Sequence, residues 1–234
     1  MISFGDENVE EWKSVSLPLK ERYCRLHGYD FLPSHQRLDD RPPGWTKILL
    51  LLQHLADYDW LYWSDVDSLI MQPHRKLDEL VELTTDLTFC VAGIHRVLNS
   101  GEFFVKNSAW ARDYLETVYG QEFLVNNKKG KPKTLAHWWK RKRCGCIGCR
   151  KFQYDQKGFV HVTSALSALE REEHIALRPP GVPDYFNGYG ENYHEGIFIQ
   201  HFPGSFKNLK NFHYAAQVAD ERLTSLELKW KENR

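Results

Sequence analysis

No apolar run in this 234-residue chain approaches the roughly 20 residues that a membrane-spanning helix needs. The opening Met1-Ile2-Ser3-Phe4-Gly5-Asp6 has neither the basic stretch nor the apolar stretch of a secretory signal. Excess charge is absent too: 31 Lys plus Arg balance 31 Asp plus Glu, so no overall field draws the chain toward nucleic acid or lipid. Nor is there a disulfide framework. The five cysteines are odd in number, and three of them, Cys144, Cys146 and Cys149, are crowded together. These absences predict a soluble chain, without a membrane span and with no nucleic-acid partner, in a reducing, cytoplasmic setting.

What is present is ample material for one core, with 42% hydrophobic and 14% aromatic residues. Ile2-Ser3-Phe4 reads as a first strand, Leu17 to Leu26 as a helix with Ser16 as N-cap, Pro18 in its first turn and Gly28 as its stop. Tyr29 to Leu32 reads as the second strand, Trp45 to Leu55 as a helix, and Asp59 to Trp63 as a buried strand. Strand, helix, strand, helix, strand predicts an α/β fold with a mostly parallel, doubly wound central sheet flanked by helices. Later elements are strands over Leu87 to Ile94, Phe103 to Val105 and Ile197 to Gln200, helices over Ala109 to Tyr119 and Ser164 to Glu172, and a helical tail from Lys207. Residues 121–157 break the pattern. From Lys128 to Lys151 there are ten Lys or Arg and no Asp or Glu, which marks an insertion in the single domain 1–234.

Ligands of open parallel sheets sit outside the carboxyl ends of the strands, and there the chain places Ser64-Asp65-Val66-Asp67. Two carboxylates one residue apart can converge on one hard cation, Mg²⁺ or Mn²⁺, completed by water and phosphate. Alone, Asp-x-Asp is a common surface tripeptide. Directly after a hydrophobic strand, it needs a reason to be there. A second segment, Asn99-Ser100-Gly101-Glu102-Phe103-Phe104-Val105-Lys106-Asn107, joins a turn to an apolar strand; its Gly permits close backbone approach and its Asn can bond a hydroxyl. A third, His201-Phe202-Pro203-Gly204-Ser205-Phe206-Lys207, offers an imidazole for a cation and an ammonium for phosphate.

These segments, with Trp60 to Ile70, Trp110 and Tyr23-Cys24-Arg25-Leu26-His27-Gly28-Tyr29, resemble the galactosyl-, xylosyl- and mannosyltransferase family of fungi and plants over about residues 4 to 207, outside the insertion. The His-x-x-Gly-x-x-Lys spacing also resembles glycogenin-like and bacterial galactosyltransferases. The resemblance implies a GT-A fold, a nucleoside-diphosphate sugar donor with UDP favoured over GDP, Mn²⁺ or Mg²⁺, a glycan or glycoconjugate acceptor, and retention of anomeric configuration. It makes Asp65, Asp67 and His201 metal ligands, and Lys207 a diphosphate contact. Asp65, Asp67, Lys207 and Asn99 would carry the chemistry, while Phe4, Gly5, Lys47, Ser100, Gly101 and Gly204 would line the cofactor pocket. Where the family has Asp-Gln before Ser-Ala-Leu, this chain has Val162-Thr163 before Ser164-Ala165-Leu166, and Asp155-Gln156, seven residues upstream, is read as part of the insertion rather than as a substitute. Asp184, Glu191 and Glu195 are candidate nucleophiles if the reaction is not a same-face attack.

Two other readings compete. A carbohydrate- or nucleotide-sugar-binding module could keep the scaffold and lose turnover. The basic segment, with Trp138 and Trp139, could instead contact nucleic acid, and its Cys144, Cys146 and Cys149 with His137 could close a Zn²⁺ site, against three plain thiols in a loop. The alternative to a cytoplasmic setting is a lumenal Golgi domain trimmed from a membrane anchor.

Overall fold

The computed structural model describes residues 1–92, 97–125, 155–182, 185–189, 195–204 and 207–233. The strands are β1 (Ile2–Phe4), β2 (Leu32–Ser34), β3 (Trp60–Ser64), β4 (Ser68–Ile70), β5 (Leu87–Ala92), β6 (Val97–Lys106), β7 (Ile175–Arg178), β8 (Gly188–Tyr189) and β9 (Ile199–His201). The helices are α1 (Glu10–His27), α2 (Thr46–His54), α3 (Ala109–Tyr119), α4 (Asp155–Ala165), α5 (Ala168–His174) and α6 (Leu209–Glu232). Six strands form the main sheet in the order β2-β1-β3-β6-β5-β7, and β4-β9-β8 form a smaller one. β1 runs parallel to both β2 and β3, as the alternating pattern predicts, and β5 is parallel to β7; β6 is the antiparallel strand.

Side chains of β3 and β6 alternate between two cores, as the two-residue period of a strand requires. Leu61, Trp63, Phe103 and Val105 face one way, toward Trp45, Leu115 and Phe159 of the helices α2 to α4 and the turn before them. Tyr62 and Phe104 face the other way, toward Tyr23, Phe186 and Phe198. A third cluster seats α1 and α6 on the smaller sheet through Trp12, Leu69, Phe202 and Phe212. Helices therefore cover both faces.

Several boundaries differ from the sequence reading. α1 begins at Glu10, not Leu17, with Asp6 capping the short 3₁₀ turn that leads into it, so Ser16 is buried inside the helix and Pro18 lies in its interior. Pro18 and Ser14, four residues before it, are both exposed, so water can bond the carbonyl that the proline leaves without a donor. Gly28 ends the helix as expected, at φ 76° with its N–H on Cys24 O. β2 starts at Leu32, after Tyr29 turns its hydroxyl onto Asp78 instead of joining the sheet. Ser164 to Glu172 is not one helix: Ser167 breaks it and caps α5 with a capping box to Glu170. Leu124 is buried and Asp155 opens α4, so the core reclaims both ends of the segment set apart as 121–157. Residues 126–154, with Trp138, Trp139, His137, Cys144, Cys146 and Cys149, lie outside the described residues. Among the described helices, none is long and apolar enough to cross a membrane.

Candidate active site

At the carboxyl end of β3 the chain leaves the main sheet, turns through Asp65-Val66-Asp67, and enters the smaller sheet as β4. The turn is held on both sides by backbone. Asp65 N donates to Gly101 O at 2.9 Å and Phe202 N donates to Asp67 O at 2.9 Å. β4 pairs with β9 in antiparallel register, Ser68 opposite His201, so the end of a late strand is delivered beside the second aspartate. One ligand atom from each of Asp65, Asp67 and His201 lies within 4.8 Å of the others. The His201 ring packs where a side chain at 101 would go: a Cβ there would lie 2.2 Å from His201 Cε1. Glycine at 101 is therefore a steric condition of the cluster.

Asp67 Oδ1 is 3.3 Å from His201 Nε2, and Asp67 Oδ2 is 3.1 Å from Lys207 Nζ. Burial alone would raise the Asp67 carboxyl, but the His201 imidazole and the Lys207 ammonium outweigh it and hold the group well below the usual carboxylate range. Burial alone would lower His201; the Asp67 carboxylate at its edge, with Asp65 behind, raises it instead. Gly204, at φ 56°, supplies the left-handed turn that lets residues 201 and 207 meet the same aspartate. Lys207 is 42% exposed at its side chain, and Nζ also lies 5.7 Å from the Trp12 ring. It is the cation of the cluster with room to meet a ligand.

Two buried lysines flank Asp65. Lys47 of α2 puts Nζ 3.0 Å from Asp65 Oδ1, 2.9 Å from Asp155 Oδ2 and 2.6 Å from Ser100 O, which satisfies all three of its N–H donors within the protein. Lys47, expected in the nucleotide pocket, stands in this structure as an internal bridge between two carboxylates. Lys20 of α1 donates to Asp65 O and to Ser68 Oγ. Behind it, the buried Glu102 accepts from Tyr62 OH at 2.6 Å and Ser64 Oγ at 3.1 Å, and burial raises its carboxyl.

Sequence reasoning set Asp155 and Gln156 aside, and the structure brings them in. Asp155 Oδ2 accepts from Ser100 Oγ at 2.9 Å as well as from Lys47, and Gln156 Oε1 lies 3.3 Å from Asn99 Nδ2. A carboxylate and an amide at the start of α4 thus stand beside Asn99 and Ser100. Their signal was the helical spacing of Asp155, Phe159 and Val162, which are buried together on one face. Asn99 Oδ1 accepts from Gly101 N and from Asn187 Nδ2, each at 2.8 Å, so this amide is engaged inside the protein. Phe4 lies in the apolar core, whereas Gly5 abuts the aspartate turn, a Cβ there falling 3.1 Å from Val66 Cγ1. Glu195 is 90% exposed and pairs with Arg222 of α6; Asp184 and Glu191 lie outside the described residues.

Residues 5–88, which run from the first turn into β5 and carry both aspartates, match the model of the galactosyl transferase GMA12/MNN10 family. Over 190 residues the chain is 23% identical to the probable alpha-1,6-mannosyltransferase MNN10 of Saccharomyces cerevisiae, covering 62% of this chain and 48% of that protein. It is 29% identical over 218 residues to the probable xyloglucan 6-xylosyltransferase 5 of Arabidopsis thaliana, covering 81% and 45%. The chain thus spans about half the length of the curated relatives it matches. Among solved structures, a glycosyltransferase involved in glycosylation of the major capsid of PBCV-1 superposes with a TM-score of 0.62 at 15% identity, over 92% of this chain and 97% of that one. The galactosyltransferase LgtC, solved with donor and acceptor sugar analogues, gives 0.54 at 12% identity, over 94% and 95%. The fold is the GT-A glycosyltransferase fold, and the chain resembles the fungal and plant family.

Proposed function

We propose that the chain is a metal-dependent glycosyltransferase that takes a nucleoside-diphosphate sugar as donor and a glycan or other hydroxyl as acceptor, with retention at the anomeric carbon. The observation that carries this reading is the convergence of Asp65, Asp67 and His201, from two different sheets, with Lys207 beside them. Two carboxylates and an imidazole form a mixed oxygen and nitrogen donor set that suits Mn²⁺, with Mg²⁺ as a substitute. When bound, such a cation supplies Lewis-acid stabilisation of charge on a departing diphosphate.

The remaining work falls to side chains of the protein. Lys207, half-exposed and tethered to Asp67, would exchange that partner for phosphate oxygens of the donor and neutralise charge as the anomeric bond lengthens. Asp155 and Gln156, held by Lys47, Ser100 and Asn99, would face the sugar. Lys47 fixes Asp65 and Asp155 relative to each other, so their spacing is set before the donor arrives. We favour same-face attack, in which the leaving phosphate takes the acceptor's proton; of the candidate nucleophiles, Glu195 is turned to solvent and paired with Arg222.

The test is a panel of nucleotide sugars, UDP-linked first and GDP-linked next, scored for Mn²⁺-dependent hydrolysis and for thermal stabilisation. A donor at about 100 times its Kd should stabilise the fold by about 2.7 kcal/mol. One donor should be bound and slowly hydrolysed with Mn²⁺ and spared in excess chelator. Binding without turnover would favour a non-catalytic module, and no binding by any donor would overturn the reading.

A further inference from the structure

Asn187, wholly buried just before β8, belongs to no motif, yet hydrogen-bond logic runs through it to the cation site. A backbone N–H can only donate. Gly101 N donates to Asn99 Oδ1 at 2.8 Å, which fixes that amide with its oxygen inward. Asn187, 2.8 Å from the same oxygen, must then present its NH₂ there. Its carbonyl oxygen is consequently the atom 3.1 Å from His201 Nδ1, and it can only accept. Nδ1 therefore carries a proton whether the ring is neutral or charged. The other ring nitrogen, Nε2, is the one 3.3 Å from Asp67 Oδ1 and 4.0 Å from Asp65 Oδ2.

We propose that Asn187 is a positioning residue for the cation: by accepting the Nδ1 proton it commits the Nε2 lone pair of His201 to the space between the two aspartates. This rests on the cation reading given above. Imidazole ligands of metals hold their other ring N–H on a fixed acceptor, and loss of that acceptor typically weakens binding without touching a ligand. Turning the Asn187 amide over would set two carbonyl oxygens against each other at Asn99 and an NH₂ against Nδ1–H. Both contacts are buried, so the orientation is enforced.

The experiment compares wild type, Asn187→Leu and Asn187→Asp in Mn²⁺ titrations followed by electron paramagnetic resonance, with melting temperatures in chelator alongside. Asn187→Leu removes the acceptor and should weaken Mn²⁺ binding by about 10- to 100-fold. Asn187→Asp keeps an acceptor for Nδ1–H but turns an oxygen toward Asn99 Oδ1, so it should melt lower and yet bind Mn²⁺ near the wild-type affinity. If Asn187→Leu does not fold, Asn187→Asp still decides. Affinity that falls in step with melting temperature in Asn187→Asp, or an Asn187→Leu protein that binds as wild type, overturns the proposal. Failure of wild type to bind Mn²⁺ counts against the cation reading instead. In that event, long-range ¹H–¹⁵N correlation in the metal-free protein still tests the proposal, which requires a proton on His201 Nδ1 and fails if that nitrogen is bare.

Discussion

Asp65 is gripped by two buried lysines, one at its carboxylate and one at its backbone carbonyl, and they do different jobs. Lys47 meets charge: two carboxylates and a carbonyl surround its ammonium, and although burial alone would lower it, Asp155 and Asp65 hold it above its usual value. Lys20 meets dipoles: a carbonyl and a hydroxyl are its partners, and burial lowers it because the charges of Glu102, Asp65 and Asp67 do not make up the loss. Both are within reach of the same residue. A buried cation among carboxylates decides where negative charge can be stored, whereas one among dipoles straps a turn in place.

Lys47→Met should have the largest effect. It leaves Asp65 and Asp155 facing each other without a cation, and removal of one partner from a buried ion pair costs about 3–5 kcal/mol. Urea unfolding should show that loss, and Asp155→Asn in the same chain should return part of it, a coupling that a double-mutant cycle measures. Additive losses would mean that Lys47 does not bridge the two.

A third lysine extends the series to the solvent. Lys207 is half-exposed, so its ion pair with Asp67 should contribute about 0–1 kcal/mol, and Lys207→Ala should cost no more stability than that. Its effect belongs in catalysis, where a lost diphosphate contact should lower kcat/KM by about 2–4 kcal/mol, in kcat as well as in donor binding. Near-wild-type kinetics would make Lys207 merely a solvated residue ahead of the Asn208 cap of α6.

Lys20→Met should cost less than Lys47→Met, because Glu102 keeps its Tyr62 and Ser64 partners and no paired carboxylate is stranded. Loss of the strap should cost about 1–3 kcal/mol. A loss as large as that of Lys47→Met would place the two lysines in one class.

The smallest effect is a difference of slope with pH, measured on protein kept in chelator. Lys20 is lowered from 10.5, so the unfolded chain binds more protons than the folded one between the two values, and its contribution to stability improves as pH rises toward 10.5. Lys47 is raised above 10.5, so its contribution is fully present below that value and is lost only as pH climbs through the higher one. As pH rises toward 10.5 the wild-type advantage over Lys20→Met should grow, and that over Lys47→Met should stay level. Slopes of the same sign in both would contradict the distinction.

How much of this could be read in the amino acids follows from how local each contact is. Asp65 and Asp67 were legible because a strand end and its carboxylates are adjacent in the chain, and His201 and Lys207 because one turn separates them. Asn187 was not, since its partners Asn99 and His201 are 88 and 14 residues away. Lys20 was concealed by its helix: read as beginning at Leu17, the helix hides the stripe Trp12, Ser16, Lys20, Tyr23 in which a lysine occupies a core position. Asp155 and Gln156 were set apart with the insertion. The basic run before them drew the boundary at 157, although both residues belong to α4, whose buried face begins with Asp155. The parallel order β2-β1-β3 was readable from alternation, but the antiparallel β6 and the second sheet depend on pairings that no local pattern specifies.

The central claim is that Asp65, Asp67 and His201 hold a divalent cation that donor turnover requires. Its most direct test is Mn²⁺-dependent donor hydrolysis by Asp67→Asn, compared with wild type with and without excess chelator, while circular dichroism confirms a native fold. Asn at 67 keeps the side-chain volume and removes the charge, so wild type should hydrolyse donor with Mn²⁺, and neither the variant nor wild type in chelator should. Hydrolysis at the wild-type rate in either of those conditions would contradict the claim.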